Sequence, residues 1–127
     1  MGFYLLKTEP GEYSFEDLQR DARTEWEGVT SPAGVKNLRE MHRGDEIILY
    51  HTGRERRAMG MARVISVDAS DAKVPKVVIE AGAKLARPVT LDEIKAASVF
   101  RESPLLKIGR LSVVPLTGEQ YRFLRGK

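Results

Sequence analysis

The chain has 127 residues, of which 42% are hydrophobic and 31% charged, so it holds enough apolar material for one domain with a core and does not have the composition of a disordered chain. It has no cysteine, no basic leader and no run of about 18 apolar residues, so we expect a cytoplasmic protein without disulfides, thiol nucleophiles, a signal peptide or a membrane span. The net charge of +3 is compatible with a nucleic-acid partner.

The chain predicts a series of short strands with helices between some of them. In chain order the predicted elements are a strand over residues 3–8, a helix after Ser14, a short helix over 32–41, strands over 45–52, 57–68 and 76–89, a helix after Thr90, a strand over 110–116 and a helix after Thr117. Because successive strands usually pair as neighbours, this order predicts one α+β domain over residues 1–127. Its core would be a mostly antiparallel, open or closed β-barrel with short peripheral helices.

Two kinds of local signal place these elements. Three helix starts pair a Ser or Thr with Asp, Glu or Gln three residues later, as in a capping box, and place apolar residues at the two flanking positions of a hydrophobic staple. These pairs are Ser14 with Asp17, Thr90 with Glu93, and Thr117 with Gln120. Within the predicted strand over 57–68, Gly60 indicates either a bulge or a close approach of another group to the backbone.

Common catalytic and cofactor motifs are absent from the sequence. There is no phosphate-binding Walker loop, no dinucleotide-binding glycine motif and no nucleophile elbow. With two histidines and no cysteine we expect no metal site, and we expect no cofactor. His51, at the end of an apolar strand, fits either a structural imidazole hydrogen-bonded to the backbone or a donor in a pocket wall.

The stretch KTEP, residues 7 to 10, places a cation, a hydroxyl and a carboxylate side by side at a strand end. On a strand, Lys7 and Glu9 share one face and Thr8 points to the other. The pattern fits a salt-bridged strand end and a polar pocket floor equally well.

Trp26 is the only tryptophan, and it lies in the turn-rich stretch TEWEGVTSPAG. A large aromatic side chain among turn residues either closes one end of a core or offers a surface for stacking. Both interpretations remain open from the residues alone.

Basic residues concentrate in two places. Residues 101 to 127 contain six basic and two acidic side chains, and the loop GRERR, residues 53 to 57, contributes Arg54, Arg56 and Arg57. Each region fits either a solvated surface or a surface that contacts phosphates.

Six sequence blocks carry a resemblance to a known family. They are YLLKTEPGEYSFEDL (4–18), WEGV (26–29), KNLREMHRGDEIILYHT (36–52), GMARV (60–64), PVTLDEIKA (88–96) and GRLSVVPLTGEQY (109–121). In this order, over nearly the whole chain, they resemble the EVE domain, a PUA-like family that is similar to the YTH domains that read methylated adenine in RNA. The resemblance implies a compact β-barrel with peripheral helices and a pocket for a modified nucleobase.

The resemblance also implies which residues form this pocket, with Trp26 clamping the base. The pocket residues are Lys7, Thr8, Glu9, Pro10, Tyr13, Ser14, Trp26, Gly28, Val29, Ser31, Asn37, Tyr50, His51, Thr52, Arg110, Leu111 and Ser112. Candidates for hydrogen bonds to the base edge are Thr8, Ser14, Asn37, His51, Thr52 and Ser112. Candidates for phosphate contacts are Lys7, Arg39 and Arg110, together with the arginines of the GRERR loop.

The function we expect is a non-catalytic reader of a modified base, such as a modified cytosine, in DNA or RNA. Because the chain shows no nuclease motif, any downstream action would need a separate effector protein. One alternative is an amidohydrolase-like enzyme that acts on acylated cytidine with Lys7, Thr8 and Glu9, as in the related ASCH domains. The other is a protein-interaction module whose pocket is vestigial.

Overall fold

The computed structural model describes residues 1–126 and contains one mixed sheet of six strands. The strands are β1 (Phe3–Thr8), β2 (Arg23–Trp26), β3 (Glu46–His51), β4 (Arg57–Asp68), β5 (Lys76–Thr90) and β6 (Val113–Leu116). Their order is β2-β5-β4-β3-β1-β6, and only the β1–β3 pair in this sheet is parallel. The predicted α+β fold of mostly antiparallel strands is confirmed. The sheet is open instead of closed into a barrel, with β2 and β6 as its edges.

Three of the helices begin where the capping signals predicted. The helices are α1 (Phe15–Asp21), α2 (Pro32–Arg39), α3 (Leu91–Ala96), α4 (Pro104–Lys107) and α5 (Gly118–Arg125), with a 3₁₀ turn at Ser98–Phe100. The capping boxes of Ser14, Thr90 and Thr117 are all formed. None of the helices in residues 1–126 is long and apolar enough to cross a membrane.

Four elements were not predicted or differ by more than two residues from the sequence prediction. Strand β2 is not predicted by the sequence because three of its four residues are polar, and its position depends on antiparallel pairing with the distant β5. The last strand begins at Val113 instead of residue 110, because the chain turns first and the Leu111 amide donates to the Ile108 carbonyl at 3.0 Å. The 3₁₀ turn and α4 were also not predicted.

The sheet separates two hydrophobic cores. Neighbouring residues on a strand point to opposite faces, so Leu5 and Leu6 of β1 belong to different cores. The N-terminal core lies beneath α1 and α2 and includes Phe15 and Trp26. The C-terminal core lies beneath α3, α4 and α5 and includes Tyr121. This division places Trp26 at the margin of a packed core, next to α1.

Helix α1 sits directly on a glycine of the sheet. A Cβ atom added to Gly60 would lie 2.2 Å from Cζ of Phe15, the first residue of α1. The close approach predicted at Gly60 is confirmed, and the register of β4 against β5 shifts on both sides of this residue. The absent side chain therefore sets how closely α1 packs on β4.

Candidate functional site

A cavity of about 320 Å³ opens where β1 ends, α1 begins and β2 forms the sheet edge. Its lining residues are Thr8, Glu12, Tyr13, Thr24, Glu25, Trp26 and Glu27. The rings of Tyr13 and Trp26 stand at 75° to each other with centroids 6.1 Å apart. We call this space the Tyr13–Trp26 cavity. Its two aromatic walls form a corner.

Hydrogen bonds and packing hold both aromatic walls. The Tyr13 hydroxyl donates to Asp21 at 2.9 Å, and the Thr8 hydroxyl donates to the Tyr13 carbonyl at 2.6 Å. Burial, followed by the hydrogen bond to Asp21, raises the pKa of Tyr13, so its hydroxyl remains a neutral donor. Trp26 is 8% exposed and packs in the N-terminal core. The cavity is therefore bounded by a firmly packed indole and a partly exposed phenol.

A second cavity of about 480 Å³ also borders Trp26. It shares Glu25, Trp26 and Glu27 with the first cavity. Its further lining residues are mostly apolar: Gly28, Val29, Thr30, Val35, Leu38, Lys73, Val74 and Pro75. Trp26 thus contributes to two neighbouring cavities of different character.

Three glutamates border the Tyr13–Trp26 cavity. Glu12, Glu25 and Glu27 are all exposed. Within residues 1–126 none of them forms an ion pair or a side-chain hydrogen bond. The cavity is consequently flanked by carboxylates that are free to approach a ligand.

The side chains of Lys7, Thr8 and Glu9 in the KTEP stretch lie in three separate environments. The half-buried Lys7 ammonium donates to the Gly109 carbonyl at 3.0 Å, and burial lowers its pKa. Thr8 lines the cavity, whereas the Glu9 carboxylate accepts a hydrogen bond from the Gly11 amide. Lys7 and Glu9 form no ion pair in the described part of the chain, so the strand end is not salt-bridged.

His51 is a buried, structural imidazole. Its Nε2 accepts a hydrogen bond from the Phe15 amide at 3.0 Å, so the ring proton belongs on Nδ1, which donates to Glu55 at 2.8 Å. The hydrogen bond from His51 is the main cause that lowers the pKa of Glu55. Both ring nitrogens are used, and His51 lines neither cavity beside Trp26.

The EVE domain family model matches residues 2–126 of the chain. The chain belongs to the EVE domain family. A Rhodopseudomonas palustris protein, solved by NMR, is 30% identical and superposes with a TM-score of 0.89, covering 99% of this chain and 92% of its own. Human THYN1, solved in complex with DNA containing 5-methylcytosine, is 22% identical with a TM-score of 0.88, covering 99% and 96%.

More distant comparisons add less. An ASCH domain of Zymomonas mobilis is 13% identical to this EVE domain, with a TM-score of 0.60 and coverage of 98% and 94%. At this identity the likeness shows only a related fold. No curated protein matches the chain in sequence.

Most other predicted pocket residues of this EVE domain lie in the framework around the cavity. Ser14 and Ser31 cap α1 and α2. The Asn37 side chain donates to the Val113 carbonyl at 2.7 Å, and the Thr52 hydroxyl donates to the Thr8 carbonyl at 3.3 Å. The Ser112 carbonyl accepts from the Lys7 amide at 2.9 Å. Tyr50 and Leu111 pack in the C-terminal core, Pro10 and Arg110 lie in turns, and Gly28 and Val29 line the second cavity. Of the predicted set, Thr8, Tyr13 and Trp26 line the Tyr13–Trp26 cavity.

The predicted phosphate-contacting arginines lie outside both cavities beside Trp26. Arg39 donates to the Ala72 carbonyl at 2.8 Å, and Arg57 lies 3.7 Å from the Glu55 carboxylate. Arg54 and Arg56 line a separate cavity of about 180 Å³ at the start of α3. In the described residues no three His, Asp or Glu side chains are grouped so as to hold a metal ion.

Four residues of the cavity were not predicted from the sequence. They are Glu12, Thr24, Glu25 and Glu27. The glutamates could have been found from their neighbours in the sequence, because Glu12 precedes Tyr13 and two glutamates flank Trp26.

Proposed function

We propose that this EVE domain is a non-catalytic nucleic-acid-binding module that holds a modified base in the Tyr13–Trp26 cavity. The observation that carries the proposal is the pair of aromatic rings at 75° beside a space of about 320 Å³. Ligand pockets usually start at roughly 300 Å³, so the space suits a single base. The shared fold with human THYN1, which was solved with DNA containing 5-methylcytosine, supports the same function.

The two rings and the polar lining have different tasks in this proposal. An aromatic face contributes roughly 1–3 kcal/mol to holding any base, because every base has a π-face. Identity then depends on hydrogen bonds to the base edge. The Thr24 hydroxyl lines the cavity, and the Thr8 hydroxyl, which donates to the Tyr13 carbonyl, could accept from a base. Because Trp26 is only 8% exposed, Tyr13 offers the more accessible ring and Trp26 the fixed wall. The proposal includes a cytoplasmic location and a separate effector protein.

The first experiment uses the single indole as its reporter. Trp26 emission is followed during titration with short DNA and RNA strands that carry one modified or one plain base, at fixed low salt. Saturable quenching by a modified strand is expected. In Tyr13→Leu the affinity should fall by roughly 1–3 kcal/mol, the usual contribution of an aromatic base contact.

The matched control is Phe123→Leu, which removes a ring that is 41% exposed and packs against Phe100 on the other side of the sheet. This variant should bind as the wild type does. If no strand changes the Trp26 emission, and labelled strands show no binding by fluorescence anisotropy, the proposal is rejected in favour of an interaction module.

One observation favours the amidohydrolase alternative. Burial lowers the pKa of Lys7, and a lysine with a lowered pKa is better suited to act as a base or a nucleophile. However, its ammonium donates to the Gly109 carbonyl, whereas the Thr8 hydroxyl donates to the Tyr13 carbonyl. We therefore expect no hydrolysis of acylated cytidine, as followed by chromatography. Turnover that disappears in Lys7→Met would replace the reader proposal by the enzyme.

A further inference from the structure

We propose that the base recognised in the Tyr13–Trp26 cavity carries a positive charge, as do bases methylated on a ring nitrogen. This inference rests on the proposed function of the same cavity and names the class of modification that it selects.

The first argument is the unbalanced charge around the cavity. Three of its lining residues are glutamates, and within residues 1–126 its lining contains no lysine or arginine. Lys73 lines the neighbouring cavity, which Glu25 and Glu27 also border. Nearby carboxylates outside the cavity do have cationic partners, since Asp17 pairs with Arg20 at 2.8 Å and Glu80 pairs with Arg23 at 3.1 Å. The lining glutamates have none in residues 1–126, so a cationic ligand would supply what the protein does not.

The second argument is the arrangement of the aromatic walls. The face of an aromatic ring carries negative electrostatic potential and attracts a cation, most strongly where water is excluded. Two rings at 75° border the cavity, with Tyr13 the more accessible and Trp26 the more firmly packed. Plain stacking would need only one ring face. A corner of two rings combined with carboxylates is the chemistry of cation recognition.

The third argument is the consequence of inserting a neutral base. Such a base would leave the charge of the neighbouring, exposed carboxylates unbalanced. The phosphates of the strand would add like charges. A positively charged base offsets both effects, so the same residues that favour a cation disfavour unmodified bases.

The test compares three single strands that differ at one nucleotide. The central base is N3-methylcytosine, which is cationic, 5-methylcytosine, which is its neutral isomer, or cytosine. Affinities are measured by fluorescence anisotropy of a terminal label at fixed low salt. The cationic strand should bind roughly fivefold more tightly or better than the neutral isomer, as a partly desolvated cation–π contact predicts. The preference should shrink as salt is added.

Charge-neutral variants test whether the glutamates cause the preference for the cationic strand. Glu25→Gln with Glu27→Gln should reduce the preference by roughly two- to fivefold for each carboxylate. Glu119→Gln, an exposed residue on α5, is the matched control and should leave it unchanged. Equal or tighter binding of the 5-methylcytosine strand overturns the inference and leaves the proposed function standing. If none of the modified strands binds, both are rejected.

Discussion

Tyr13 and Tyr121 have the same kinds of neighbours but lie on opposite sides of the sheet. Each tyrosine lies beside a second aromatic ring, and each donates its hydroxyl to a carboxylate, Tyr13 to Asp21 at 2.9 Å and Tyr121 to Glu46 at 3.2 Å. Burial is the main cause that raises the pKa of both hydroxyls. In these two contacts, one with a ring and one with a carboxylate, the two places are alike.

Their packing is different. Tyr121 is 4% exposed and stacks on Phe3, with ring centroids 4.7 Å apart and an interplanar angle of 28°. Tyr13 is partly exposed and meets Trp26 at 75°, which leaves an open corner. The same pair of contacts, with a ring and with a carboxylate, therefore belongs to the core at Tyr121 and to a candidate site at Tyr13. What distinguishes the site is the unfilled space in front of the rings.

The largest expected effect is a difference in the free energy of unfolding between variants of the two tyrosines. Tyr121→Ala should lower the free energy of unfolding by roughly 3–5 kcal/mol, as removal of a buried aromatic side chain does. Tyr13→Ala should cost clearly less, because its ring is already partly exposed. Urea denaturation followed by Trp26 emission measures both. Equal losses would mean that the Tyr13 ring is as firmly packed as that of Tyr121, and the comparison would fail.

A smaller effect concerns a third ring that donates to a carboxylate, His51. The pKa of Glu55 is lowered in the folded protein, mainly by the hydrogen bond from His51. The resulting stability is present above the ordinary glutamate pKa of about 4.3 and is lost as the pH falls through the lower, folded value. Because the Glu55 side chain is 37% exposed, we expect a contribution of roughly 0.2–1 kcal/mol.

Denaturation of the wild type and Glu55→Gln across a pH series checks this expectation. The wild type should be the more stable protein at neutral pH, and the difference should disappear on acidification. A difference that persists at low pH would show that the carboxylate charge is not its cause.

The sequence predicts those parts of the fold whose signals are local. A capping box lies within four residues, so the helix starts at Ser14, Thr90 and Thr117 agree with the structure. Strand β4 has the predicted bounds because the apolar residues that mark it as a strand lie within the segment itself. Strand β2 could not be predicted in the same way, because its four residues become a strand by pairing with β5, more than fifty positions away.

The candidate site shows the same division. The resemblance to the EVE family leads to Thr8, Tyr13 and Trp26, which line the cavity. It also leads to His51 and Asn37, which bond to the backbone outside it. A sequence block contains both the residues that face a cavity and those that hold it in place, and only three-dimensional packing separates them. Of the carboxylates at the rim, Glu12 and Glu27 belong to the blocks, whereas Glu25 lies outside them.

The contact between Gly60 and Phe15 links two positions that are distant in the sequence. A side chain at 60 leaves no room for the ring at 15 in its present position. The Phe15 amide, in turn, fixes the tautomer of His51, and Tyr13 lies two residues before Phe15. One hydrogen atom in place of a methyl group on β4 thus sets how closely the start of α1, just after Tyr13, packs on the sheet. Neither Gly60 nor Phe15 lines the cavity, yet a larger residue at 60 would displace the backbone that carries Tyr13.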